Sequence, residues 1–330
     1  MNTKSLVFPS NLLFSGPGLF LFVILPASLL LGGCSSVTDN TAKTLEKQIE
    51  LQQIQHELAA EPVLTDKKTA PELEQMGDTY LRKGDINRAY LYYLKGLNAE
   101  PNRISLLQKQ GRLLIKKKKY AEAEQVYARL MPLAGDDPQT LVGQSMAFFG
   151  LGRFEEAEKG FLAALAKKDD DWQTYEYLGL LHSQKQEYDQ AIARFKTALA
   201  HKPKDLSIIN NLAVTCYLNG DFAESARLLE RLASATKDRK IYNNLALAYF
   251  QLGQYENALE NFKKGSENEA AAYNNMGQEY LFAKKYEKAI EAFDRAIALN
   301  PRHYAAAQKN MDQAKRQLAS VFAKTESNAN

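Results

Sequence analysis

Side chains able to do chemistry are sparse in this chain and far apart. The two thiols, Cys34 and Cys216, form no CxxC pair, so neither a disulfide framework nor a zinc site follows. The four imidazoles, His56, His182, His201 and His303, show no metal-ligand spacing such as HExxH. Asp169 to Asp171 are consecutive, which does not suit the spaced ligands of a calcium loop. Lys116 to Lys119 read as a solvated turn. Catalysis needs a convergent nucleophile, base or metal, so no catalytic residue, metal or cofactor is assigned. What recurs is a doubled amide: NNLAVTCYLNG at 210–220, NNLALAYFQLG at 243–253 and NNMGQEYLFAK at 274–284. A carboxamide offers two donors and an acceptor. Three of them in register suit hydrogen bonding to an extended backbone.

The elements that must hold these amides repeat as well. Gly77, Gly111 and Gly179 are separated by multiples of 34 residues. Around them recurs a bulky residue, Leu/Met-Gly/Ala, an aromatic three later, then Ala, an aromatic and often Pro. The last unit is the cleanest, with Tyr273, Met276, Gly277, Tyr280, Ala289, Phe293, Ala296 and Pro301. Seven units are predicted, at 70–103, 104–137, 138–171, 172–205, 206–238, 239–269 and 270–303. Units five and six are short, which predicts tight turns between repeats. Unit three is the most degenerate, with Ser145 where Gly or Ala is usual. Each unit supplies two helices of about 14 residues, roughly 20 Å long. Such helices are marginal alone, and stacking buries a continuous seam. Residues 304–324 keep helical spacing without a second helix and are read as a cap, with 325–330 a disordered tail. The composition, 45% hydrophobic and 25% charged, supports a core, and a formal charge of +3 gives no electrostatic case for nucleic acid.

The pattern resembles the tetratricopeptide repeat over residues 70–303. That resemblance implies an all-α fold, an α-α superhelix or solenoid, with positions 2, 5, 9, 12 and 13 of each first helix on a concave ligand face. Carried onto this sequence, the face holds Asn210, Val214, Tyr217 and Leu218 in unit five. Unit six gives Lys240, Asn243, Leu247 and Phe250, and unit seven gives Asn274, Gln278, Leu281 and Phe282. These apolar and amide residues are expected to be exposed and to bind a protein partner. The second asparagine of each pair (Asn211, Asn244, Asn275) is read as structural, and His182 and Cys216 as core. Units one and two place Glu74, Asp78, Arg82, Gln108, Arg112 and Lys116 on the same face, so it is expected to be polar there.

The first 33 residues read as an address. Lys4 precedes an apolar run, LFLFVILPASLLL at 19–31, then Gly32, Gly33 and Cys34. LGGC at 31–34 resembles the lipobox of bacterial lipoproteins, which implies cleavage before Cys34 and lipidation there. Ser35, rather than Asp, implies the outer membrane, facing the periplasm. Residues 34–69 are expected to form a partly helical tether, with Leu45, Ile49, Ile54 and Leu58 at helical spacing.

Residues 208–279 (IINNLAVTCYLNGDFAESARLLERLA, KIYNNLALAYFQLGQYENAL, ENEAAAYNNMG) resemble the Tad (Flp) pilus assembly lipoproteins of the TadD type. The resemblance implies a non-enzymatic scaffold for a tight-adherence pilus, with a secretin or other pilus component as partner. The other readings are a type IV pilus secretin pilotin, an envelope adaptor for a protease or peptidoglycan enzyme, and a cytoplasmic scaffold on an uncleaved helix.

Overall fold

The computed structural model describes residues 68–300 and 304–329. The signal segment 1–33, Cys34, the tether as far as residue 67, and His56 and His303 lie outside the described residues. Among those described are fifteen α-helices and no strand. No described helix is long and apolar enough to cross a membrane.

Two compact units can be distinguished, one reaching Asp170 and one starting at Asp171. The N-terminal unit contains three helix pairs. These are α1 (Ala70–Arg82) with α2 (Ile86–Ala99), α3 (Ile104–Lys116) with α4 (Tyr120–Ala134), and α5 (Pro138–Gly150) with α6 (Phe154–Lys167). The C-terminal unit contains four. They are α7 (Trp172–Gln184) with α8 (Tyr188–His201), α9 (Leu206–Leu218) with α10 (Phe222–Ala235), α11 (Arg239–Gln251) with α12 (Tyr255–Gly265), and α13 (Glu269–Phe282) with α14 (Tyr286–Leu299). A last helix, α15 (Tyr304–Ala329), follows.

Pairing within a repeat rests on one contact, sixteen residues apart, that recurs in six of the seven repeats. A small residue of the first helix faces a large one of the second. In four repeats the small residue is glycine: Gly77 with Tyr93, Gly111 with Tyr127, Gly179 with Phe195, and Gly277 with Phe293. A Cβ on any of these glycines would lie 2.3–2.7 Å from the facing ring. Ala213 with Leu229 and Ala246 with Phe262 repeat the arrangement with buried partners. The degenerate third unit reverses part of it. Ser145 is buried, donates to the Leu141 carbonyl, and fills the space above Gly160, where a Cβ would lie 2.0 Å from its Oγ.

The turn inside each repeat needs one residue at positive φ. Gly84, Gly152, Gly220 and Gly253 supply it without strain, while Lys118, Gln186 and Lys284 adopt it at φ 57°, 62° and 58°. Next to it the backbone closes as at a helix C-terminus: Gly84 N–H donates to Leu81 and Asp85 N–H to Tyr80. Asp85, Asp137, Asp205, Asp221, Asp238 and Asn268 then cap the helices that follow by accepting first-turn N–H groups.

Two expectations change. Unit six absorbs most of its missing residues inside α12, which has 11 residues where α2, α6, α8, α10 and α14 have 14. The turn after it shortens less. The C-terminal helix also runs past residue 324 to Ala329, so 325–329 are helical rather than a disordered tail. That stretch has no Gly or Pro to stop it. Ala307, Met311 and Ala314 of α15 pack in one cluster with Ala289, Phe293 and Ala296 of α14.

Candidate functional site

The candidate face in the C-terminal unit is carried by α9, α11 and α13. The structure corrects the expectation that its amides and apolar groups stand exposed. Asn210, Val214, Tyr217, Leu247 and Phe250 are all buried, at 5% exposure or less. Successive first helices touch directly, α9 against both α7 and α11, which closes the surface between them. Near the turns the aromatics are used internally. Tyr217 packs edge-on against Phe222, with centroids 5.2 Å apart, and Phe250 does so against Tyr255 and Tyr280 at the same distance.

The doubled asparagines turn out to be ties rather than a free ladder. Asn243 Nδ2 donates to the Gly265 carbonyl (3.2 Å), joining α11 to the end of α12. Asn274 Oδ1 accepts from Asn310 of the cap (3.1 Å). Two of their neighbours, expected to be structural, bridge repeats. Asn211 Nδ2 reaches Glu176 Oε1 on α7 (3.3 Å), and Asn275 Nδ2 reaches Ser266 Oγ (3.2 Å). Of the named face, Leu218, Asn243, Asn274, Gln278 and Leu281 are half-buried and Lys240 is exposed. Phe282 is 53% exposed. The accessible part of the face is therefore concentrated on α13.

Two acids at this site were not foreseen. Glu279, one turn before the end of α13, is 2% exposed, and no group among the described residues donates to its Oε1. Burial pushes its carboxyl up to about 7. Glu176 on α7 is also raised to about 7, by burial and by the nearby Asp205, against hydrogen bonds from Ser207 and Asn211. No motif marks either residue in the sequence; only the closure of the helices around them does. His182 and Cys216 are core residues, each 1% exposed. His182 Nδ1 contacts Glu187 Oε2 (2.7 Å), and burial pushes the Cys216 thiol up to about 12.

A separate cleft of about 540 Å³ lies between α12 and α14 with α13 as its floor. Tyr255, Tyr273 and Tyr280 line it above Met276 and Leu259, with Lys288 and Arg295 among its charged residues.

In the N-terminal unit, Glu74, Asp78 and Gln108 of the polar residues expected on the face are tied into contacts between repeats. Glu74, 8% exposed, accepts from Arg103 Nε (2.8 Å) and Ser105 Oγ (2.9 Å) and pairs with Lys109 (2.7 Å). Lys109 also reaches Asp78 (2.7 Å), which accepts from the Tyr93 hydroxyl (2.8 Å). Gln108 donates to Asp137 (2.9 Å).

Helix pairs that share one packing contact, one turn conformation and one spacing define a helical-repeat protein whose working parts are surfaces. The chain belongs to the tetratricopeptide repeat family, which it matches at residues 73–103, 142–205, 183–249, 240–267 and 270–303. Rat RNA polymerase II-associated protein 3 is 25% identical over 203 residues, which are 62% of this chain and 28% of that protein. Human protein O-mannosyl-transferase TMTC1 is 24% identical over 140 residues, 42% of this chain and 16% of that protein. The chain thus spans less than a third of either relative. A solved tetratricopeptide repeat protein from Parabacteroides merdae is 22% identical with a TM-score of 0.52, covering 74% of this chain and 98% of that one. The APC/C hetero-tetramer Cut9–Hcn1 is 19% identical with a TM-score of 0.54, covering 72% and 48%. These likenesses show the fold.

Proposed function

We propose that the chain is a non-enzymatic scaffold, lipid-anchored through Cys34 at the bacterial outer membrane and facing the periplasm. In this reading it binds a protein partner through the C-terminal repeats during assembly of a Tad-type pilus and its secretin. The observation that carries the binding role is the accessible end of α13. There Phe282 is 53% exposed beside half-buried Leu281 and Gln278. An exposed phenylalanine next to apolar and amide groups suits a partner's apolar side chain with backbone hydrogen bonds around it. Repeats and their cap account for every described helix, which supports a role exercised through surfaces. The pilus assignment is supported by the resemblance of residues 208–279, and the anchor by LGGC at 31–34.

The test is a pull-down from bacterial envelope extract with wild type against Gln278→Ala/Leu281→Ala/Phe282→Ala. Recovery of a secretin or pilus component by wild type alone supports the reading. Recovery of a peptidase or cell-wall enzyme instead would replace the pilus with an adaptor role. Palmitate labelling that survives Cys34→Ser would remove the anchor.

A further inference from the structure

The N-terminal unit carries a dense positive edge where its first two intra-repeat turns meet. Helices α1 and α3 each end in a cation, Arg82 and Lys116, at the same position of their repeats. Lys83 follows the first, and Lys117, Lys118 and Lys119 follow the second. Arg112 lies one turn before Lys116 on the same face of α3 and is exposed. The two turns are joined side by side. Lys117 Nζ reaches Asn87 Oδ1 of the first repeat (3.1 Å) and lies 5.6 Å from the Tyr90 ring centroid. Lys83 and Arg88 both lie over the Tyr80 ring, at 5.6 and 5.4 Å.

Acid compensation is thin here. Asp85 pairs with Arg88 at 3.5 Å. Arg82 donates to the Thr79 hydroxyl, and no described carboxylate forms an ion pair with Arg82, Lys83, Arg112 or Lys116. One cation per helix end would satisfy the helix dipole; this edge holds several more. At the third turn the excess stops, because Arg153 is held by Glu124 and Glu156.

We propose that this edge, centred on Arg82, Lys83, Arg112 and Lys116, docks onto an anionic lipid surface. The choice of a membrane over an acidic protein rests on the anchored reading above. An anchor at Cys34 would stand 36 residues before α1 begins at Ala70, a reach of at most roughly 130 Å, so α1 would stay in the neighbourhood of the bilayer. At that effective concentration a patch of modest intrinsic affinity suffices, and juxtamembrane Lys and Arg are drawn to anionic headgroups within a Debye length.

The test uses the full chain carrying Cys34→Ser, so that no acyl chain contributes. Partition is measured onto vesicles of phosphatidylglycerol with phosphatidylethanolamine, and onto phosphatidylcholine alone to read the apolar segment. Arg82→Glu/Lys83→Glu/Lys116→Glu is expected to weaken the anionic partition at least about tenfold and to flatten its salt dependence. Lys204→Glu/Lys237→Glu/Lys284→Glu changes net charge equally on exposed residues of the other unit and is expected to leave it within about twofold. Equal losses in both variants, or equal binding to both vesicle types, would overturn the proposal. So would binding to polyglutamate with none to anionic vesicles, which would indicate an acidic protein partner. Because the measurement omits the acyl chain, a failed anchor and a failed lipid edge give different results.

Discussion

Asn243 and Gly265 are matched to one another. The amide donates to the glycine carbonyl at 3.2 Å, and its Oδ1 lies where a Cβ on residue 265 would come within 2.2 Å. The clamp stands at the end of the shortened helix α12. There the missing residues draw the chain back over α11, and only glycine leaves room for the amide. Gly265→Ala is expected to destabilise the protein by about 1–3 kcal/mol, because the clash displaces the amide and breaks its bond. Asn243→Ala loses the bond alone, about 1 kcal/mol. In the double variant the clash with the amide is gone and only the approach to the Arg239 carbonyl oxygen, 2.9 Å from such a Cβ, remains, so the two costs are expected to be less than additive. Chemical denaturation of the four proteins measures the coupling; strict additivity would mean that the two residues do not act as a pair.

Gln186 gives a prediction of the opposite sign. It is exposed, its φ is 62°, and four equivalent turns use glycine. Left-handed backbone costs a side-chain-bearing residue roughly 1–2 kcal/mol, while glycine costs somewhat less through its unfolded freedom. Gln186→Gly is therefore expected to stabilise by about 0.5–1 kcal/mol, read as a higher denaturation midpoint at unchanged slope. A lower midpoint would mean that the Gln186 side chain contributes more than its backbone costs.

These two cases show how far the sequence was legible. The 34-residue period, the helix pairs and the small-to-large contacts follow from residue types, because each depends on spacing within one repeat. The positive φ at Gln186 was not read, because the residue there is not the glycine that marks four of the equivalent turns. The fate of Asn210, Val214 and Leu247 was not legible either. Their exposure depends on how closely α9 and α11 approach, a relation between repeats that no single motif encodes. Glu279 was missed for the same reason. Its burial is set by neighbouring helices, and in the sequence it is an ordinary helical acid.

Glu279 makes stability depend on pH. Its carboxyl rises from 4.5 to about 7 on folding, so the folded state holds a proton that the unfolded state releases. Its contribution is complete below pH 4.5 and is lost as pH rises through about 7, at most roughly 3 kcal/mol. Glu176 shifts in the same direction and adds to the slope. Glu279→Gln is expected to be more stable than wild type at pH 8 and about equal at pH 4. Urea midpoints across that range decide it; a wild-type profile that rises with pH and is unchanged by the substitution would count against a buried neutral acid.

Glu74 works in the other direction and in the other unit. Burial would raise its carboxyl, but hydrogen bonds from Lys109, Arg103 and Ser105 outweigh it and hold the group below its ordinary 4.5. Its stabilisation is therefore present above pH 4.5 and is lost as pH falls below that value. Glu74→Gln removes the charge that Arg103 and Lys109 share, and is expected to cost about 1–3 kcal/mol at pH 7 and little at pH 3. The two signs can be separated by probe. Trp172, the single tryptophan, opens α7 under the Lys202 ammonium, 3.7 Å from its ring centroid, and reports the C-terminal unit, whereas far-UV circular dichroism reports both. Acid loss removed by Glu74→Gln should therefore register in dichroism at least as strongly as in Trp172 fluorescence, and the alkaline loss removed by Glu279→Gln should appear in that fluorescence. An acid limb unchanged by Glu74→Gln would assign it to carboxylates other than the one that joins the first two repeats.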